Sequence, residues 1–138
     1  MSDSLPVVGW LERVWFPEFA PIEKGVVAKI DTGADSGAMH CVFERVVKDD
    51  NGKEWLEFQP LDTKQPTVRT DRFKRIIVRS SNGTIEERHR IETTVKIKGS
   101  EHPIKLTLSD RSDMKYDVII GWRFLENRFL VDVSHTNI

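Results

Sequence analysis

The sequence is poor in cysteine, has no long apolar run and has no excess of either charge. Its one cysteine, Cys41, cannot form an internal disulfide, and it excludes zinc sites built from several cysteines. No apolar stretch approaches the roughly 18 residues of a spanning helix, and no basic-then-apolar leader is visible, so we expect a cytoplasmic chain with no membrane partner. The 21 basic and 22 acidic side chains give a net charge of −1, which argues against a nucleic-acid partner.

The patterns that are present indicate many short strands. Apolar and polar residues alternate over Ile91–Ile97 and again over Ile104–Leu108, which predicts a hairpin with its turn within Gly99–Pro103. The pairs Asn51-Gly52 and Asn82-Gly83 lie between strand-like runs and are strong turn signals. The 138 residues fit one domain. The pattern therefore predicts an all-β barrel or sandwich.

Helix signals are sparse. A short helix is expected within Trp122–Asn127, a turn or two of helix within Gly37–Val46, and a final strand over Arg128–Val133. The four tryptophans could line a peptide groove, but large aromatics in a small β domain usually lie in the core, and we expect a core position for them. These are Trp10, Trp15, Trp55 and Trp122.

One segment carries residue types suited to chemistry at a strand end. The run VVAKIDTGADSGAMHC leads from an apolar strand into Asp31-Thr32-Gly33-Ala34-Asp35. The carboxylate of Asp31 can project from a rigid element, and the hydroxyl of Thr32 can bond a neighbouring loop. Gly33 permits a close backbone approach, and Ala34 leaves space beside the acid. This segment resembles the Asp-Thr-Gly-Ala signature of retroviral-type aspartic proteases.

The resemblance extends over most of the chain. Retropepsin-like domains also have a late apolar-apolar-Gly motif followed by a short helix, and here Ile119-Ile120-Gly121 follows Asp31 by about ninety residues. From about residue 7 to residue 134, the runs VVGWLE, AKIDTGADSGAMHC, NGKEWLEF and DVIIGWRFL resemble a bacterial family of retropepsin-like aspartic endopeptidases. Members of this family are also called ATP-dependent zinc proteases, and they are associated with RimK-type ATP-grasp ligases that modify ribosomal proteins.

The resemblance implies an acid-protease-like (retropepsin) closed barrel with one short C-terminal helix. It implies a single domain over residues 1–138, with a core at about 7–134. Asp31 would be the catalytic residue, and Thr32, Gly33, Ala34 and Asp35 would shape its loop. The hairpin at Ser81, Asn82 and Gly83 is the candidate flap, while Ile119, Ile120, Gly121 and Arg123 would support the loop. No cofactor is implied.

A single Asp-Thr-Gly supplies only half of a two-carboxylate site. The other Asp-Thr pair, Asp62-Thr63, is followed by Lys64. The second carboxylate must then come from Asp31 of another copy, so we expect a homodimeric endopeptidase acting on a peptide or protein substrate.

This sequence departs from the family pattern at two places. The bacterial family usually has Arg where Asp35 stands, and Arg directly after the late Gly, where this chain has Trp122. In viral relatives that arginine pairs with the aspartate of the loop. Either Arg123 or Arg13 is therefore a candidate partner of Asp35.

Two other functions compete with the peptidase hypothesis. The same dimeric fold could bind peptides without cleaving them. A zinc-dependent protease would need a scattered site from His40, His89, His102 and His135, since there is no His-Glu-x-x-His motif.

The basic run formed by Arg69, Arg72, Lys74, Arg75 and Arg79 is either a solvated strand face or a contact for phosphate or for an acidic partner such as a poly-glutamate tail.

Overall fold

The structure is a computed structural model, and it describes residues 4–19, 23–62, 64–79 and 82–138. The elements, in chain order, are β1 (Val7–Val8), β2 (Leu11–Val14), β3 (Val26–Asp31), β4 (Gly37–Lys48), β5 (Glu54–Pro60), β6 (Val68–Thr70), β7 (Phe73–Arg79), β8 (Ile85–Ile97), β9 (Ser100–Ser109), β10 (Val118–Gly121), α1 (Trp122–Leu125), β11 (Leu130–Val131) and β12 (Thr136–Asn137). Over these ranges the chain is mostly β with one short helix near its C-terminal end, as the sequence predicts. None of the helical residues described forms a segment long and apolar enough to span a membrane.

Most strands belong to one sheet with the order β12-β2-β3-β10-β4-β9-β8-β7. The long strand β4 takes part in three ladders. Its first part, Gly37–His40, lies between β9, with which it pairs in parallel, and β10, with which it pairs antiparallel. Its second part pairs antiparallel with β5. The register shifts between Cys41 and Phe43, and such an irregularity bends a strand. β4 therefore leaves the main sheet there and carries the β5–β6 extension.

The expected closed barrel is not found in the described part of the chain. The ladder order runs from β12 to β7 without returning. A single bridge, Trp15 with Lys96, joins the end of β2 to β8 through two hydrogen bonds of 3.0 and 2.7 Å. Pro17 follows two residues after Trp15, and proline has no N–H to extend a ladder. The approach of β2 to β8 thus stays a single bridge.

The predicted hairpin is confirmed, with a tighter turn than expected. β8 pairs with β9 from Arg90 opposite Thr107 to Ile97 opposite Ser100. The connection is only Lys98-Gly99, with φ of 53° and 81°. Positive φ at both central residues is what two-residue hairpins of the I′ type require. The alternation of apolar residues predicts the ladder, while the turn is set by these two backbone angles.

Three local predictions are wrong. Residues 37–48 form strand β4 rather than a helix, because Gly37, Met39 and Cys41 alternate into the core with a period of two. The strand expected over Arg128–Val133 is limited to Leu130–Val131, and a further strand, β12, follows it. The four tryptophans lie at the periphery rather than in the core. Trp10 and Trp122 are 36% and 38% exposed, and Trp15 and Trp55 are half-buried.

The partly buried tryptophans keep a polar handle at the surface. The indole N–H of Trp55 donates to Asp49 at 3.0 Å, and that of Trp15 donates to the carbonyl of Glu23 at 3.4 Å. An indole needs such a partner when its ring is covered. Both acceptors lie in loops outside the strands, which explains why these two rings stay at the periphery.

The centre of the core positions the chemistry. Strands β3 and β10 run in parallel, with Ala28 beside Val118 and Ile30 beside Ile120. All four side chains are buried, as is usual for parallel strands. Both strands end together, so Asp31 and Gly121 lie side by side where the buried pair reaches the surface.

Candidate active site

Asp31 is the last residue of β3, and its carboxylate is held by the loop that follows. The N–H of Gly33 donates to Asp31 Oδ1 at 3.0 Å, and the N–H of Ala34 donates to the Asp31 carbonyl at 3.1 Å. Asp31 is half-buried, whereas Thr32 and Gly33 are exposed. The arrangement presents a carboxylate from a rigid strand end with accessible neighbours, which suits proton transfer to or from a bound molecule.

The late glycine motif, Ile119-Ile120-Gly121, supports the Asp31 loop through a hydrogen bond and a close backbone contact. The N–H of Trp122 donates to the Ala34 carbonyl at 2.8 Å. A Cβ built on Gly121 would lie 2.7 Å from that same oxygen and 2.8 Å from the Ser36 carbonyl oxygen. Only a residue without a side chain allows the loop backbone to rest on β10 this closely. Ile119 and Ile120 belong to β10, and Ile120 anchors it in the core.

The loop is also tied to the helix through Asp35. Arg123 Nε donates to Asp35 Oδ1 at 2.8 Å, and the Arg123 N–H donates to the Asp35 carbonyl at 3.3 Å. Of the two candidate arginines, Arg123 is therefore the one that contacts Asp35. Arg13 instead donates to the carbonyl of Lys24 at 2.6 Å. Both side chains of the Asp35–Arg123 pair are more than 60% exposed, so the pair orients the loop more than it stabilises the fold.

The candidate flap is the hairpin between β7 and β8. Asn82 accepts a hydrogen bond from the N–H of Thr84 at 3.0 Å, and Gly83 has a φ of 85°. Ser81 lies outside the described residues. Two isoleucines on the strands of this hairpin, Ile77 and Ile85, are 69% and 58% exposed. The hairpin thus carries apolar surface suited to covering a bound chain.

The four histidines lie apart and have different environments. His40 accepts a hydrogen bond from the N–H of Arg111 at 2.8 Å, and His89 lies 2.6 Å from a Glu44 oxygen. His135 pairs with Asp132 at 3.2 Å, and His102 packs against two phenylalanine rings. Within the described ranges, no group of three or more His, Cys, Asp or Glu side chains could hold a metal ion.

Sequence reasoning missed the environment of Cys41. Its thiol donates to Glu44 Oε2 at 3.2 Å, and the other oxygen of Glu44 contacts His89. Burial, followed by this hydrogen bond, raises the pKa of the Cys41 thiol well above its ordinary value. A protonated, buried thiol is a poor nucleophile, so this Cys-Glu-His chain does not form a nucleophilic site.

Sequence reasoning also missed Glu12, which is 2% exposed. Its carboxylate accepts hydrogen bonds from the N–H of Gly9, at 2.6 Å, and from the amide of Asn137. The one available signal in the sequence is an acidic residue next to Leu11 in a short strand that apolar residues flank. Glu12 thereby joins two ends of the chain beside β3, the strand that bears Asp31.

All five residues of the basic run are exposed: Arg69, Arg72, Lys74, Arg75 and Arg79. Arg72 pairs with Glu18, and Arg75 pairs with Glu54 at 3.2 Å. The run is therefore accessible to solvent, and two of its members are already paired with carboxylates.

The comparisons with known proteins agree with this geometry. Residues 7–138 match the RimB-like family, described as retropepsin-like aspartic endopeptidase RimB. A probable alpha-L-glutamate ligase of Shewanella halifaxensis is 30% identical over 99% of this chain, and one of Desulfotalea psychrophila is 30% identical over 91%. The chain spans only 30% and 28% of the lengths of these two relatives.

A solved structure shows the same fold. A Legionella pneumophila protein of unknown function aligns with a TM-score of 0.75 and 20% identity, covering 97% of this chain and 98% of that one. The family match extends from the first strand through the Asp31 loop and the late glycine motif to the C-terminal strands. The chain therefore belongs to the RimB-like family of retropepsin-like aspartic endopeptidases.

Proposed function

We propose that this chain is one half of a homodimeric aspartic endopeptidase. The observation that carries the proposal is the Asp31 carboxylate, which stands at the end of a buried parallel strand pair and is braced by Gly121 and Arg123. Gly33 is the one residue of the described chain that hydrogen-bonds this carboxylate. One chain thus offers one catalytic aspartate, and the second would come from Asp31 of the partner.

Two such carboxylates would divide the work of hydrolysis. Like charges about 3 Å apart cannot both ionise, so the pair shares one proton. The ionised member would take a proton from a water molecule as that water attacks the peptide carbonyl. The protonated member would donate to the developing oxyanion. Thr32, exposed at the tip of the loop, would bond the partner's loop and hold the two acids in place.

An exposed apolar side chain supports a dimer at this end of the molecule. Trp122, which directly follows Gly121, is 38% exposed. A large apolar group exposed beside the Asp31 loop is suited to burial against another molecule. A second copy placed there would bring the two Asp31 loops together.

The relatives suggest the substrate. They are named as probable alpha-L-glutamate ligases, and this chain corresponds to less than a third of their length. We infer that the peptidase acts alongside an ATP-grasp ligase of that kind and cleaves a peptide rich in acidic residues. The exposed basic run, which extends from β6 through the connection at Arg72 into β7, would attract such a peptide.

Asp31→Asn tests the mechanism. The variant should lose at least about 100-fold in peptide cleavage, because amide cannot serve as the general base. It should remain a dimer by sedimentation. Asp62→Asn, which makes the same change in the other Asp-Thr pair, should leave cleavage unaltered. An active Asp31→Asn dimer would refute the catalytic role, while wild type that binds a statine peptide without cleaving any substrate would identify a binding module.

A further inference from the structure

A cleft lies beside the Asp31 loop. It has a volume of about 630 Å³ and is lined by the end of the loop, Asp35–Gly37, by parts of β8 and β9, and by α1. Asp31, Thr32 and Gly33 are not among its lining residues. The cleft is therefore distinct from the carboxylate that would perform the hydrolysis.

The walls of the cleft carry an excess of positive charge. Five cationic side chains line it, and two carboxylates oppose them. The cations are Arg72, Arg90, Lys105, Arg123 and Arg128, and the carboxylates are Asp35 and Glu92. The chain as a whole has a net charge of −1, so the positive excess is local to this cleft.

Three of these cations already have a carboxylate partner. Arg123 pairs with Asp35 at 2.8 Å, and Lys105 lies 3.9 Å from Glu92. Arg72 pairs with Glu18, which lies outside the cleft. These pairs explain why the three side chains can stand together without strong mutual repulsion.

The other two cations, Arg90 and Arg128, have no carboxylate partner among the residues that the structure describes. Both are half-buried. One amino group of Arg128 donates to the Phe124 carbonyl at 2.9 Å, and its guanidinium lies 5.0 Å from the centre of the Phe124 ring. Arg128 is thus held in one orientation, and its other guanidinium N–H groups have no hydrogen-bond partner among the residues that the structure describes.

The positive charge of Arg128 affects the titration of the neighbouring residue His102. Burial, followed by the charge of Arg128, lowers the pKa of His102 below its ordinary value. A partly desolvated guanidinium attracts an anion more strongly than one in water. Its planar set of donors matches the oxygens of a carboxylate or a phosphate group.

We propose that this cleft binds an oxyanion of a small ligand, a phosphate or a carboxylate group, between Arg90 and Arg128. The apolar faces of Pro103, Ile104 and Phe124 leave room for the body of such a ligand. The site does not require peptidase activity, because Asp31 takes no part in it.

Titration with inorganic phosphate and, separately, with glutarate tests the site. Binding is followed on the full chain through the NMR signals of the arginine Nε–Hε groups. Binding of either probe supports an oxyanion site, and the tighter probe identifies the group it prefers. Arg90→Gln should weaken binding at least about tenfold, since a charge-assisted pair is lost. Arg79→Gln, at the far end of β7, removes the same charge outside the cleft and should leave binding unchanged.

Glu92→Gln gives a test of opposite sign. Removing a carboxylate from the cleft should tighten binding by about twofold or more, an effect that misfolding cannot imitate. Arg128→Gln should weaken binding and also raise the pKa of His102. The assignment is overturned if neither probe binds, if Arg90→Gln binds as tightly as wild type, or if Arg79→Gln weakens binding equally.

Discussion

Replacing Gly121 by alanine would separate a steric requirement from a conformational one. Gly121 has φ −88° and ψ 176°, which any residue can adopt. Its backbone therefore does not require glycine, and Gly→Ala at such a position should stabilise by about 0.4–1 kcal/mol through the unfolded chain. The space around it does require glycine, because the added Cβ would lie 2.7 Å from the Ala34 carbonyl oxygen and 2.8 Å from Ser36.

The size of the effect follows from these distances. To restore ordinary van der Waals contact, the loop backbone must retreat by about 0.7 Å. Overpacking of this kind costs about 1–3 kcal/mol, so after the entropic gain of about 0.4–1 kcal/mol we expect a net loss of up to about 2.5 kcal/mol. The retreat also moves the Asp31 loop against its partner. A misplacement of about 1 Å can cost about 100-fold in rate, so we expect a loss of about 10- to 100-fold.

Urea unfolding and peptide cleavage measure the two effects on the same variant, and binding of a statine peptide reports on the site if turnover is slow. Gly52→Ala is the matched control, because nothing lies within 4 Å of its Cβ but its φ is +80°. It should lose about 1–2 kcal/mol of stability with no change in cleavage. A Gly121→Ala variant that keeps wild-type stability and full activity would refute the claim that the loop rests on this residue.

Three further predictions concern single side chains. Asp35→Asn should lower the free energy of unfolding by less than about 1 kcal/mol, because its ion pair with Arg123 is exposed to solvent. A double-mutant cycle with Arg123→Gln at two salt concentrations measures the coupling energy of the pair. A large coupling energy that does not depend on salt would contradict this prediction. Since burial raises its pKa, the Cys41 thiol should react with a disulfide reagent at pH 8 only as fast as the chain unfolds; fast labelling of the native chain would be the contrary result. Because the pKa of His102 is lowered in the fold, its neutral form is favoured. Its contribution to stability is therefore present above about pH 6.5 and is lost as the pH falls towards the folded pKa; an NMR titration giving His102 a pKa above 6.5 would contradict the sign.

Several features of the fold could be predicted from short-range patterns. The alternation at residues 91–97 and 104–108 predicts the β8–β9 ladder, because side chains on a half-buried strand alternate between two environments. The helix after Gly121 and the turns at Asn51-Gly52 and Asn82-Gly83 were also predictable from local residue types. The segment at 37–46 was misread because its alternation includes a glycine and a cysteine, which are weak strand signals.

Other features depend on where the elements meet. The contact between β2 and β8 is limited to the single Trp15–Lys96 bridge, shortly before Pro17. Hydrophobic periodicity within a strand does not predict such a contact between distant strands. The choice of Arg123 over Arg13 as the partner of Asp35 depends on the position of α1 relative to the loop. Two tryptophans, Trp10 and Trp122, are exposed, although large aromatic residues in a small β domain are usually buried.

Residue types and their local spacing are enough to identify the residues that can do chemistry and to show that one chain carries a single Asp-Thr-Gly loop. Three other relations appear only in the folded chain: Gly121 supports that loop, Arg123 pairs with Asp35, and Arg90 and Arg128 line one cleft with no carboxylate partner among the described residues. These relations join residues from about 35 to 90 positions apart. They depend on strand pairing and side-chain reach, which are set by the packing of the whole core rather than by any local pattern.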